Sequence, residues 1–184
     1  MKSFLYSLLI FALCACATTN KTATKTSGPT TDLTGLNSYN ENIQRIANAK
    51  QTLAKILAVQ GARTIENTLV PYNQLLLDLD AAYSNSGLFG NVHPSEEVRN
   101  KALEQEQEID KFSTELSLNV ELFSALKAVD IKGADSETKF FVEKTLRNFR
   151  RSGVDKDAAT RLKIGKLQEE LSKIGQDFDK NIRE

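Results

Sequence analysis

The sequence predicts an all-α protein, an antiparallel array of five or six helices, and three observations carry that expectation. Composition comes first. Leu, Ala, Lys, Glu and Gln are plentiful, Trp is absent, and there are only 9 Gly and 3 Pro, a mix that favours helix over sheet. Second, apolar residues recur three and four apart over long stretches, the period of one helical face. Third, the breaks between these stretches are short, and no run shows the strict alternation of a half-buried strand. No internal repeat of fixed period interrupts the pattern.

Residues 1–16 have the layout of an export signal, so they are set apart from the fold. Lys2 supplies the positive start, and the apolar run Phe4 to Ala12 is too short to span a bilayer. Leu13-Cys14-Ala15-Cys16 resembles a bacterial lipobox, with Cys16 as the lipidated residue and mature N-terminus. Cys14 departs from that pattern, standing where a small or hydroxylated residue is usual, and bulky Leu13 makes it the poorer acceptor. The plainer alternative is an ordinary cleaved signal peptide. Each buried methylene of an acyl chain contributes about 0.8 kcal/mol, so a multiply acylated Cys16 is a firm anchor to the membrane. Ala17 follows the cysteine, and no Asp suggests inner-membrane retention; the expectation is an exported, outer-membrane lipoprotein facing the periplasm. Residues 17–35 are rich in Thr, Lys, Ser and Gly and form a flexible tether, lacking the apolar surface that offsets ordering entropy.

The helical region spans 36–184. Asn37 or Ser38 caps a first helix to about Val59, with Ile43, Ile46, Ala47, Lys50, Leu53, Ala54 and Leu57 on one face, and Gly61 beyond it. Thr64 or Thr68 caps the second, Pro71 falls in its first turn, and Leu75, Leu76, Leu79 and Ala82 carry it to about Tyr83. Asn85-Ser86-Gly87 then reads as a turn and Leu88 to His93 as a loop. Ser95 caps a third helix to about Ser117, with Glu96 and Glu97 at its positive end and Val98, Ala102, Ile109, Phe112 and Leu116 facing in. Asn119 to about Val129 is a fourth segment. Asp135 or Ser136 caps a fifth, which ends at the corner Gly153 after Arg147, Arg150 and Arg151. The last helix carries an apolar seam: Ile164, Leu167, Leu171, Ile174, Phe178 and Ile182. The seam meets no stop signal, so the region is expected to be incomplete at its C-terminal end, and the seam to pack on helices that this chain does not contain.

Chemistry is sparse. A zinc peptidase shows two histidines flanking a glutamate on a helix, and this chain has one histidine, His93, in a loop before a proline. It reads as a loop histidine filling space or bonding to backbone. Both cysteines lie in the leader, leaving the body without a disulfide or thiolate site. No serine stands in an elbow motif. Glu169-Glu170 and Asp177 with Asp179 are carboxylate neighbours whose spacing makes them diverge on a helix, so they read as solvated charge. Gly87-Leu88-Phe89-Gly90 lacks the lysine and spacing of a phosphate loop. Lys144, Arg147 and Arg151 share a face; they read as cations complementing a helix C-terminus before they read as an anion site. The residues therefore supply no catalytic, metal or cofactor-binding candidate. Removing residues 1–15 takes away Lys2, so 24 Lys+Arg become 23 against 24 Asp+Glu, and that near-neutral balance argues against nucleic acid as a partner.

Four segments in series bring a resemblance. Arg63-Thr64-Ile65-Glu66-Asn67-Thr68-Leu69 is close to R-T-F-E-N-T, and Asn91-Val92-His93-Pro94-Ser95-Glu96-Glu97-Val98-Arg99 to H-V-S-P-D-x-E-L-R with the His displaced. Phe149-Arg150-Arg151-Ser152-Gly153 resembles an R-R-x-G corner. Leu167-Gln168-Glu169-Glu170-Leu171-Ser172 with Phe178-Asp179-Lys180-Asn181-Ile182 is similar to K-x-x-L-S…F-x-K-N-L. Together, over about residues 36–184, they resemble the N-terminal region of the thimet oligopeptidase, neurolysin and oligopeptidase A family of zinc metallopeptidases. The resemblance implies that the array is part of a larger neurolysin-like helical fold, one wall of a channel that admits short peptides. It also implies zinc in the full-length family, held by an H-E-x-x-H helix and a further glutamate. This chain has no such motif, so no catalytic or metal residue carries over, and peptides are partners only where that region is present. The chain is thus expected to be the non-catalytic N-terminal portion of an exported zinc metalloendopeptidase. The alternative is a complete membrane-anchored helical lipoprotein that binds or supports without enzymatic activity.

Overall fold

The computed structural model describes residues 36–183, and the leader, Cys16 and the tether lie outside them. Six α-helices and no strand occur among the described residues: α1 (Leu36–Ala58), α2 (Val70–Val92), α3 (Glu96–Ser117), α4 (Val120–Lys127), α5 (Ser136–Ser152) and α6 (Ala158–Arg183), with one π turn (Ile65–Leu69) leading into α2. The all-α helical array is as expected. None of these helices is long and apolar enough to cross a membrane.

Three of the starts are made by side chains at the boundaries that sequence suggests. Asn119 accepts from the Leu122 amide at 2.8 Å and Asp135 from the Thr138 amide at 2.7 Å. Thr64 accepts from the Asn67 amide at 3.2 Å while Asn67 returns the bond to the Thr64 N–H at 2.9 Å, a reciprocal box. Of the two threonine options, Thr64 is therefore the cap; Thr68 is wholly buried. The π turn lets the chain enter α2 just ahead of Pro71, which has no N–H to give and whose ring crowds the carbonyl four residues back. Ser95 stands at the α3 start, but His93 Nδ1 takes the Ser95 N–H at 3.1 Å and the Ser95 hydroxyl makes no cap bond. Helix α1 begins at Leu36, so neither Asn37 nor Ser38 caps it.

Two expectations need correction. Asn85-Ser86-Gly87 is no turn: α2 runs on through it to Val92. Local turn preference yields to burial there, because Ser86 and Gly90 face α3 and a Cβ on Gly90 would meet Leu103 at 3.4 Å. Second, the inner face of α1 is rotated from the one the apolar residues suggest. Asn42, Ile46, Ala49 and Ile56 are buried, while Ile43, Ala47, Lys50 and Ala54 are exposed. The cause is a polar knot. Asn42 Nδ2 donates to Ser86 Oγ at 3.1 Å and to Gln105 Oε1 at 3.2 Å, and Gln105 Nε2 donates to the Tyr39 carbonyl at 2.8 Å.

These bonds pin the layer. The start of α1 lies beside the end of α2 and the middle of α3, so α2 runs antiparallel to both. Its other end is closed by α4, against α1, and by α5, against α4 and α3. Leu75, Ile109, Leu122 and Leu126, with Tyr72 and Phe149, form the core where these helices meet. Tyr72 touches Phe141 and Phe149 with ring centroids 6.4 Å from each. The Asp130 amide donates to the Arg63 carbonyl at 3.1 Å, tying the loop after α4 to the segment that leads into the π turn.

Candidate functional site

Helix α5 ends at Gly153, whose φ of +96° is left-handed. The Gly153 amide returns to the Arg150 carbonyl at 3.0 Å and the Val154 amide to the Phe149 carbonyl at 3.1 Å. That pair of bonds is a Schellman motif, and Phe149 and Val154, the positions of its usual apolar contact, are both buried in the same core cluster. Four residues on, Asp157 starts α6: it accepts from the Thr160 amide at 2.9 Å and from the Thr160 hydroxyl at 2.6 Å. These bonds hold the Asp157 carboxyl below its ordinary range, as those from Thr138 do for Asp135.

The direction so fixed lays α6 along α3, antiparallel to it. Gly165 comes within 3.8 Å of Leu118 for an added Cβ, and Gln107 donates to Gln176 Oε1 at 2.6 Å further along. The face that meets α3 is small and polar: Gly165, Gln168, Ser172 and Gln176, with Ile164 at its edge. The apolar seam is not on that face. Leu167, Leu171, Ile174, Phe178 and Ile182 are between 54% and 68% exposed. No described side chain of α6 is buried, and α6 gives nothing to the core. Leu171 borders a cavity of about 330 Å³ shared with Ser113 and Ser117 of α3. The same two serines line a groove of about 360 Å³ that reaches Leu76, Phe141 and Lys144. Leu171 is thus the seam residue beside the first of these, and the second lies between α2, α3 and α5.

The remaining candidates are scattered. His93 is buried at the end of α2, accepts from the Ser95 amide, and lies 5.7 Å from the Phe89 ring. The Arg99 guanidinium donates to the His93 carbonyl at 2.7 Å and the Pro94 carbonyl at 3.1 Å, so one side chain ties the α2–α3 corner through its carbonyls. Lys144, Arg147 and Arg151 are exposed on α5, and Arg150 lies over the Phe123 ring at 5.8 Å. Glu169, Glu170, Asp177 and Asp179 are all exposed. Gly87 and Gly90 are inside α2 and form no loop. Among the described residues no three His, Cys, Asp or Glu side chains come together as a metal set. Sequence reasoning missed the Asn42–Ser86–Gln105 knot; the signal was there in Gln105, which shares the spacing of Ala102, Ile109 and Phe112.

The chain matches no protein-family model. It is 25% identical over 151 residues to saccharolysin of Saccharomyces cerevisiae. The match covers 79% of this chain and 21% of saccharolysin, so the chain spans about a fifth of the relative's length. This likeness supports a distant relationship to the thimet oligopeptidase family, to which saccharolysin belongs. The four resembling segments take definite places in the fold: the π turn into α2, the α2–α3 corner, the Gly153 corner and the seam of α6. Zinc does not fit the donors at hand: the chain has 1 His, and that ring is committed to the Ser95 amide.

Proposed function

We propose that this chain is the non-catalytic N-terminal helical portion of an exported zinc metalloendopeptidase of the thimet oligopeptidase type, an enzyme of short peptides. The observation that carries the reading is the likeness to saccharolysin, running through 79% of this chain while covering only 21% of that enzyme. The four family-like segments in matching order support it. The 184 residues lack H-E-x-x-H, so the zinc and the chemistry belong to a region outside them. Export follows from the leader, with Cys16 lipidated and the body facing the periplasm at the outer membrane. Peptides are then the substrates of the whole enzyme, and the membrane is the partner of this portion through Cys16.

Sequencing the gene past the codon for Glu184 tests the reading. A continuing frame that encodes H-E-x-x-H is expected. A stop codon with no such partner downstream overturns it, and leaves a helical lipoprotein without enzymatic activity. The anchor has its own check: labelled palmitate is incorporated by the native chain and lost in Cys16→Ser, whereas labelling that survives the substitution contradicts lipidation there.

A further inference from the structure

We infer that the cavity between α2, α3 and α5 is a binding site for a small aromatic carboxylate, a ring on a short chain that ends in a carboxylate group. The floor supplies the first argument. Leu76, Leu79, Leu116, Phe141 and Phe149 line a cavity of about 360 Å³. Its three helices share the core, so the floor is made by them whatever covers α6. That volume falls within the range of small-molecule sites, about 300–1,000 Å³. Tyr72 lies with its ring centroid 6.4 Å from those of Phe141 and Phe149, and a wall of tilted rings gains more from another ring than from an alkyl chain.

Tyr72 supplies the second argument. It is 6% exposed and lines the cavity, and its hydroxyl has no hydrogen-bond partner among the described residues. A purely apolar guest would strand that hydroxyl, at the cost of its desolvation, whereas a carboxylate accepts from it. Burial pushes Tyr72 up to about 12, so the hydroxyl keeps its proton to donate at neutral pH. Charge supplies the third. Lys144 is the one charged residue that lines the cavity, and it forms no ion pair with a described residue. Arg147 and Arg151 follow it on the same face of α5. Acids on these faces stand outside the cavity: Glu137 is about two turns back on α5, and Asp110 lines the neighbouring cavity. The carboxylate thus accepts from Tyr72 in the field of Lys144, and the ring lies against Phe141 and Phe149.

The experiment uses the full chain with Cys14→Ser and Cys16→Ser, which leaves no native cysteine. The probe is 3-phenylpropionate, titrated while amide shifts are followed by nuclear magnetic resonance. Saturable binding at about 1 mM or tighter is expected for a ligand of this size, with the shifts centred on Ser113, Thr145 and Asn148 at the cavity. The uncharged 3-phenylpropionamide should bind about tenfold more weakly, and Lys144→Met and Tyr72→Phe should each weaken the acid by about the same factor. Lys144 is exposed and Tyr72→Phe keeps the ring, so circular dichroism and the melting temperature at neutral pH are retained. No binding up to about 10 mM, acid and amide bound alike, or an affinity untouched by both substitutions overturns the proposal. Where the reading frame continues past Glu184, the extended protein is titrated in the same way. Loss of binding there shows the cavity filled by the protein's own helices, and overturns it too. The frame itself is read by sequencing, so this inference and the peptidase reading fail separately.

Discussion

Gly153 carries two demands at once. Its φ of +96° is a conformation that side chains with a Cβ rarely adopt, and Ile164 Cδ1 stands 2.6 Å from the place an added Cβ would take. The clash is with the tip of a flexible side chain and relaxes; the backbone strain does not. Gly153→Ala is expected to lower stability by about 1–3 kcal/mol, read as the shift in the urea midpoint. Asn42 is a second such residue, 1% exposed and bonded to both Ser86 and Gln105. Asn42→Ala leaves buried partners unsatisfied, at an expected cost of about 1–3 kcal/mol. An unchanged midpoint would show the knot to be incidental. Tyr72 is pushed up to about 12 by burial. Its neutral form is kept in the folded chain while the unfolded chain ionises from about 10, so its contribution is intact below that pH and lost as pH rises toward 12. Tyr72→Phe should flatten the alkaline limb of stability against pH.

At the scale of elements, several caps were legible, although Ser95 and Asn37 or Ser38 do not cap as expected, and the helix interior was not. Asn119, Asp135 and Gly153 act where their types suggest, because a cap is decided within three or four residues. Asn85-Ser86-Gly87 misleads for the opposite reason: its partners are Asn42 and Gln105, 43 or more residues back and 19 onward, which no local window contains. The face of α1 misleads likewise, since a buried Asn42 counts as solvent-facing until its partners are known. The seam of α6 was legible as a seam; that its polar side, with Gly165 and Ser172, would be the side docked on α3 was not. The α5 and α6 caps also set an acid limit. The carboxyls of Asp135 and Asp157 lie below their ordinary value of 3.8 in the folded chain, so their contribution is present above that value and is lost as pH falls through the lowered folded values. Carboxyl carbon shifts of both residues should titrate below 3.8, and a midpoint at or above it would contradict the cap geometry.

For the whole molecule, the described helices divide unequally. Helices α1 to α5 share one core, while α6 rests on α3 through small and polar side chains and buries none of its own. Its Gln176 Nε2 is buried without a protein partner, which weakens that contact further. Such a helix draws its stability from whatever covers its apolar face. Hydrogen exchange along α6 in the full chain, with Cys14→Ser and Cys16→Ser, tests this most directly. The amides from Leu167 to Ile182 are predicted to exchange faster than the core amides of α2 and α3, Leu75 and Ile109 among them. Protection of those amides equal to that of Leu75 and Ile109 would contradict it.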